Sequence, residues 1–140
     1  MSDVLVLGGN GFLGSCLSKY LDKNKISHRI CDLESSLGSL NYLNIDITNI
    51  KTLENFANHD CIINLAAVHR DDIRPLSLYD EVNVEGSINI CEAARKHGIN
   101  KIIFTSSVAI YGFAPADTDE SGEPNYFNDY GRTKYLAEQV

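Results

Sequence analysis

Strand-like and helix-like segments alternate from one end of this chain to the other, and that order builds a parallel sheet with helices packed on both faces. Residues 3–7 read as a first strand. Past Gly11, Leu13, Cys16, Leu17, Tyr20 and Leu21 fall at i, i+3, i+4, i+7 and i+8, the apolar stripe of a helix laid on that strand. Residues 27–31 give a second strand and 40–45 a third, followed by a short helix marked by Ile50, Leu53, Phe56 and Ala57. Residues 61–66 are a nearly unbroken apolar run, as expected of a strand buried on both faces. The next helix places Val84, Ile88, Cys91 and Ala94 on one face and ends at Gly98, which can take a left-handed C-cap conformation. Residues 101–105 are the fifth strand. Residues 113–128, rich in Pro, Gly, Asp and Glu, predict a long surface loop. A last helix begins near Tyr130 and continues to Val140. The expectation is one α/β domain over residues 1–140, a doubly wound parallel sheet of about five strands.

Where the first strand passes into the first helix stands Gly8-Gly9-Asn10-Gly11-Phe12-Leu13-Gly14, which satisfies both GxGxxG and GxxGxxG spacing. Glycine permits the tight turn and lets backbone approach a pyrophosphate, while the helix N-terminus offers unpaired N–H donors. A tight turn that binds nothing would use the same residues. Asp32 argues against that reading: it ends the second strand, about twenty residues past the glycines, where a carboxylate accepts hydrogen bonds from adenosine ribose hydroxyls. A carboxylate there repels a 2′-phosphate, and Leu33-Glu34 brings no Arg to receive one. The cofactor expected is NAD rather than NADP.

Composition limits the partners. The 140 residues, 44% hydrophobic and 22% charged, suffice for one domain with a buried core. A formal charge of -7 excludes nucleic acid and anionic membrane surfaces, which need Lys and Arg to offset phosphate. Bound phosphate must therefore be held by backbone dipoles. With no basic leader segment and no apolar run long enough to span a bilayer, the expected location is cytoplasmic. Cys16, Cys31, Cys61 and Cys91 form no CxxC pair and read as reduced core residues. His28, His59, His69 and His97 are scattered, so no metal is expected.

Tyr130-Gly131-Arg132-Thr133-Lys134 has YxxxK spacing, which on a helix puts Tyr130 and Lys134 on one face. A nearby ammonium favours phenolate over phenol, so such a tyrosine is a usable general base. The spacing alone is common. It gains meaning from Ser106-Ser107-Val108-Ala109-Ile110-Tyr111-Gly112, whose serines fall at the carboxyl end of the fifth strand, where ligands of doubly wound sheets bind.

Taken in order, the glycine turn, Asp32, Asn64-Leu65-Ala66-Ala67, Asn83-Val84-Glu85-Gly86, the SSVAIYG segment and YGRTK resemble the extended short-chain dehydrogenase/reductases, particularly NAD-dependent nucleotide-sugar epimerases of the UDP-glucose 4-epimerase type. The resemblance covers all 140 residues and implies a Rossmann-type fold. It makes Ser107 the serine that hydrogen-bonds the reacting sugar hydroxyl, Tyr130 the acid/base, and Lys134 the group that tunes Tyr130 and binds the nicotinamide ribose. Phe12 and Leu13, with Gly8, Gly11 and Gly14, correspond to the turn over the pyrophosphate. Asp46 and Ile47 correspond to the adenine-side contact, and Leu65, Ala66 and Ala67 to the loop above the cofactor. Asn83 braces that loop, and His69 lies where the equivalent loop approaches cofactor phosphates. The implied reaction is NAD-dependent epimerisation of a UDP-linked sugar through a transient keto intermediate. In the dehydratase branch the segment would resemble TDEVYG; Val108 and Ala109 stand at its acidic places, so elimination is not expected.

The resemblance also implies further strands, a C-terminal substrate domain absent from these residues, and a homodimer for the full-length enzyme. A chain cut within the YxxxK helix would be inactive alone. Two other readings stay open: an NAD(P)-dependent sugar or ketone reductase of the same superfamily, and a noncatalytic NAD-binding module. The charged run His69-Arg70-Asp71-Asp72 matches no family pattern and reads as a solvated loop.

Overall fold

The computed structural model describes residues 3–34 and 41–140. β1 (Val4–Leu7), β2 (His28–Asp32), β3 (Tyr42–Asn44), β4 (Cys61–Asn64) and β5 (Ile102–Phe104) form one parallel sheet in the order β3-β2-β1-β4-β5. The chain winds outward from β1 through β2 and β3, then returns to place β4 and β5 on its other side. A crevice must open at the carboxyl ends of β1 and β4, where the winding reverses.

Side chains alternate along β1, and the two faces differ in how thoroughly they are covered. Leu5 and Leu7 point to the face shared with Ile62, Phe56, Leu53 and Ile90, all no more than 1% exposed. That face is closed by a 3₁₀ helix (Ile50–Phe56) and by α3 (Gly86–His97), which is reached through short α2 (Ser77–Tyr79) and a π-helical segment (Asp80–Glu85). Val4 and Val6 point the other way, toward Leu21 and Leu17 of α1 (Phe12–Lys23). Burying a large aliphatic side chain is worth about 1.5–3 kcal/mol, so the larger α3-side cluster supplies most of the packing energy. The last helix, α4 (Asp129–Glu138), joins the α3 side through contacts with the π-helical segment.

The buried faces of the helices differ from those that the periodicity predicts. Of the stripe expected on α1, Leu13 is 59% and Tyr20 61% exposed and Cys16 is exposed, while Gly14, Ser18 and Leu21 are buried. The close seat of Gly14 on the glycine turn sets which face of α1 meets the sheet. On α3 the buried face is Gly86, Ser87, Ile90, Ala93 and Ala94, so Val84, Ile88 and Cys91 lie to its side. The π-helical segment alters the angular spacing ahead of α3, which a regular 3.6-residue period does not anticipate. Cys16 and Cys91 are therefore not core residues, whereas Cys31 and Cys61 are.

Boundaries moved as well. Asp32 belongs to β2 because it pairs with Asn44, and β4 stops at Asn64, whose Oδ1 accepts from the Ala66 N–H at 3.1 Å and turns the chain out of the sheet. Leu40, expected in the third strand, lies outside the described residues. Gly98 does cap α3 with φ 71, and residues 113–128 contain no helix or strand. α4 starts at Asp129 and ends at Glu138, two residues before Val140.

Candidate functional site

A cleft of about 630 Å³ occupies the switch point, walled by residues that follow β1, β2, β3, β4 and β5 and by α4. The glycine turn forms one wall with Gly8, Gly11, Phe12, Leu13 and Gly14. Its geometry admits no larger residue at two points. Gly8 has φ +74, and a Cβ there would lie 2.8 Å from the Ala66 nitrogen; a Cβ on Gly14 would lie 2.5 Å from Gly9 Cα. Gly11, the N-cap of α1, offers no side-chain cap, so the N–H groups of the first turn are left for an anion. Among the described residues, Lys134 is the only lysine or arginine lining the cleft, so phosphate would depend on those backbone donors.

Asp32 is held rigidly at the edge of this wall. Its Oδ2 accepts from the Asn10 N–H at 2.9 Å and its Oδ1 from the Leu33 N–H at 2.8 Å, which fixes the carboxylate while leaving lone pairs toward the cleft. The Gly8 and Gly9 N–H groups donate to the Cys31 carbonyl at 2.9 and 3.2 Å, locking the glycine turn to the end of β2. Asp46 and Ile47 line the wall beyond β3, with Asp46 Oδ1 accepting from the Thr48 N–H at 2.9 Å. Leu65, Ala66, Ala67 and His69 line the opposite side.

α4 brings the titratable pair. Asn128 caps it by accepting from the Gly131 N–H at 2.8 Å, and Tyr130 and Lys134, one turn apart, both reach the cleft wall. Lys134 is only 2% exposed, and its Nζ lies 3.9 Å from the centre of the Phe104 ring. Burial pushes its ammonium down to about 8, with Glu138 pulling weakly the other way. A lysine so desolvated gains from any ligand oxygen that reaches it.

Two expected residues stand outside the lining. Asn83 is 3% exposed and sits behind the wall, its amide accepting from the Val68 N–H at 2.8 Å and donating to the Val68 carbonyl at 2.9 Å. Ser107 caps a 3₁₀ turn (Val108–Tyr111), its Oγ accepting from the Ala109 N–H at 3.1 Å, while Thr105 and Ser106 line the cleft beside it. Thr48, Val68 and Thr105 were not anticipated; their signal was position alone, each lying just past the carboxyl end of a strand, as the sequence had already placed Ser106. The charged run resolves into a local pair: Arg70 grips Asp72 at 2.6 and 3.1 Å, and this holds the Asp72 carboxyl below its usual range. Asp71 accepts from Asn128 Nδ2 at 3.3 Å, so this loop touches the cap of α4.

Comparison with known proteins adds to this geometry. Residues 4–140 match the model of the NAD dependent epimerase/dehydratase family. The chain is 36% identical to an Escherichia coli protein named N-acetyl-alpha-D-glucosaminyl-diphospho-ditrans,octacis-undecaprenol 4-epimerase, covering 99% of this chain and 42% of that one. It is also 36% identical to a putative UDP-glucose 4-epimerase of Methanocaldococcus jannaschii, over 97% of this chain and 48% of that one. Among solved structures, UDP-glucose 4-epimerase from Brucella ovis in complex with NAD superposes with a TM-score of 0.89 at 29% identity, over 99% of this chain and 46% of that one. The chain thus spans about half the length of the relatives it matches.

Proposed function

The chain belongs to the NAD-dependent epimerase/dehydratase family, and on that premise we propose that its cleft holds NAD and supplies the acid/base half of a site that epimerises a nucleotide sugar, UDP-linked, through a transient keto sugar. The carrying observation is that one cleft unites the uncapped glycine turn, the fixed Asp32 carboxylate, and Tyr130 with the buried Lys134. The donor set fits a dinucleotide: a first turn of open N–H groups for pyrophosphate, a strand-end carboxylate for a ribose, and an under-solvated ammonium at the far end. Asp32 favours NAD over NADP by charge repulsion.

Held by the glycine turn, Asp32 and Lys134, NAD would supply an acceptor for the hydride leaving the sugar carbon and, once reduced, a donor for its return to the other face. Tyr130 takes the proton from the sugar hydroxyl as the carbonyl forms and gives it back on reduction. Lys134 lies on the same helix face one turn away, and its buried ammonium at the cleft wall would bind a cofactor ribose hydroxyl. Ser107 stands beside Ser106 at the cleft mouth; a small rotation of the 3₁₀ turn would let its hydroxyl steady the substrate hydroxyl. The full-length protein is proposed to be a homodimer through helices that include α4.

The test is steady-state turnover of UDP-glucose and UDP-N-acetylglucosamine by the full-length protein and its Tyr130→Phe variant. A loss of about 10²–10⁴-fold in the variant is expected for removal of a general acid/base; near wild-type turnover would refute the role. Reduced cofactor released in proportion to substrate consumed would instead mark a net dehydrogenase or reductase.

A second reading has its own support. Val108 and Phe113 are each 84% exposed and Phe127 60%, with the Phe113 and Phe127 rings stacked at 4.8 Å, and in the chain Val108 follows Ser106 and Phe127 precedes Tyr130, both of which line the cleft. Exposed apolar side chains so near the cleft-lining segments suit a sugar carried on a lipid diphosphate, the substrate class in the name of the E. coli relative. Preference for a polyprenyl-diphosphate sugar over UDP-N-acetylglucosamine in the same assay would select it.

A further inference from the structure

Between the loop at residues 65–69 and α4 runs a buried hydrogen-bond chain that the chemistry above does not use. Asn83 Nδ2 donates to the Val68 carbonyl and, at 2.9 Å, to Thr133 Oγ1, while its Oδ1 accepts from the Val68 N–H. Thr133 is 0% exposed and follows Tyr130 and precedes Lys134 in the chain. An amide nitrogen only donates, so Thr133 Oγ1 accepts there and sends its own proton to the Asp129 carbonyl at 2.8 Å, with the Tyr130 carbonyl at 3.2 Å. Every polar atom of the pair is satisfied.

We propose that Thr133 is a positioning residue: through Asn83 its hydroxyl sets the register between the loop that lines the cofactor cleft and the turn of α4 that carries Tyr130 and Lys134. The inference rests on the reading of the cleft given above. The ion pair that ties α4 to the π-helical segment is looser. Arg132 pairs with Asp80 at 2.6 and 2.8 Å, but both side chains are partly exposed, at 30% and 47%, and Arg132 is long and flexible. It holds α4 down without specifying its rotation. Thr133 and Asn83 are short, and Thr133 is β-branched with a restricted rotamer, so their contact tolerates little sliding. The π-helical segment that contains Asn83 supplies the local widening that aims this side chain between loop and helix, and such segments recur at functional sites.

Removing the hydroxyl strands one buried N–H of Asn83, whose side chain has no solvent to turn to. The amide must rotate or shift, and both bonds to Val68 go with it.

The experiment compares the full-length protein with Thr133→Val and Thr133→Ser, reading amide exchange at Val68 together with kcat and KM. Thr133→Val is expected to exchange the Val68 N–H about tenfold faster and to lower kcat by about tenfold to a hundredfold with KM little changed. Thr133→Ser restores both. Unchanged Val68 exchange in the valine variant, failure of serine to restore it, or faster exchange with unaltered kcat each overturns the proposal. If wild type shows no epimerase activity, the functional reading falls, while Val68 exchange still decides this one because it needs no turnover. Should Thr133→Val not fold, Thr133→Ala carries the same expectation for Val68, and unchanged exchange there refutes it.

Discussion

Gly14→Ala reverses the ordinary effect of that substitution. In an exposed helix interior alanine is favoured over glycine by about 1 kcal/mol, and α1 is a regular twelve-residue helix. Here the added Cβ would lie 2.5 Å from Gly9 Cα and 2.6 Å from both Gly8 O and Gly9 C, where ordinary contact is 3.4–4 Å. All three neighbours are backbone, and that backbone is tied to β2 by the Gly8 and Gly9 hydrogen bonds to Cys31. No side chain can swing aside, so α1 must lift by most of an ångström or the turn must open. Overpacking costs about 1–3 kcal/mol, and against immobile backbone it outweighs the propensity gain, for a net loss of about 2 kcal/mol. For a chain of this size that lowers Tm by roughly 8 °C. The displaced first turn also weakens pyrophosphate binding, by about tenfold or more in NAD affinity. Urea unfolding and calorimetric NAD titration measure the two. Stability equal to or above wild type with unaltered NAD affinity would show that the packing argument is wrong.

Three further outcomes are expected. Asp32→Asn removes the charge that two backbone N–H groups hold in place and lowers NAD affinity by roughly tenfold to a hundredfold while narrowing the gap to NADP; parallel titrations with both dinucleotides check it, and an unchanged NAD/NADP ratio counts against it. Lys134, depressed by burial to about 8 from an ordinary 10.5, loses its proton in the folded protein before the unfolded chain does, so its contribution to stability rises from about pH 8 to 10.5 while NAD affinity falls above about pH 8. Phe104→Leu removes the ring under the ammonium and should move that fall to lower pH; a pH series of titrations that leaves the midpoint in place would refute it. Gly131→Ala puts a Cβ 2.4 Å from the Ala109 carbonyl oxygen and pries α4 from the 3₁₀ turn that holds Ser107, so turnover should fall more than about tenfold; wild-type kcat would contradict this.

Much of this molecule is legible without coordinates, because its strongest signals are local. The glycine turn, Asp32 and the YxxxK pair are fixed distances along the chain from a strand end or within a helix turn, and strand ends converge by topology alone. What failed were judgements of facing. Leu13, Cys16 and Tyr20 obey helical period, yet the side of α1 that meets the sheet is set by the contact of Gly14 with Gly9, which no period reports. On α3 a π-helical segment shifted the angle, leaving Val84 and Cys91 off the buried face.

The sequence by itself determined the alternation that commits the chain to a parallel α/β sheet, the anion-ready turn, the acidic strand end, and the tyrosine and lysine that share a helix face. Only the tertiary structure decided that Lys134 is buried over Phe104 and titrates near 8, that Ser106 rather than Ser107 faces the cleft, and that Thr133 reaches Asn83 across fifty residues of chain. Such outcomes depend on desolvation and on contacts between segments far apart in sequence, and a linear pattern encodes neither.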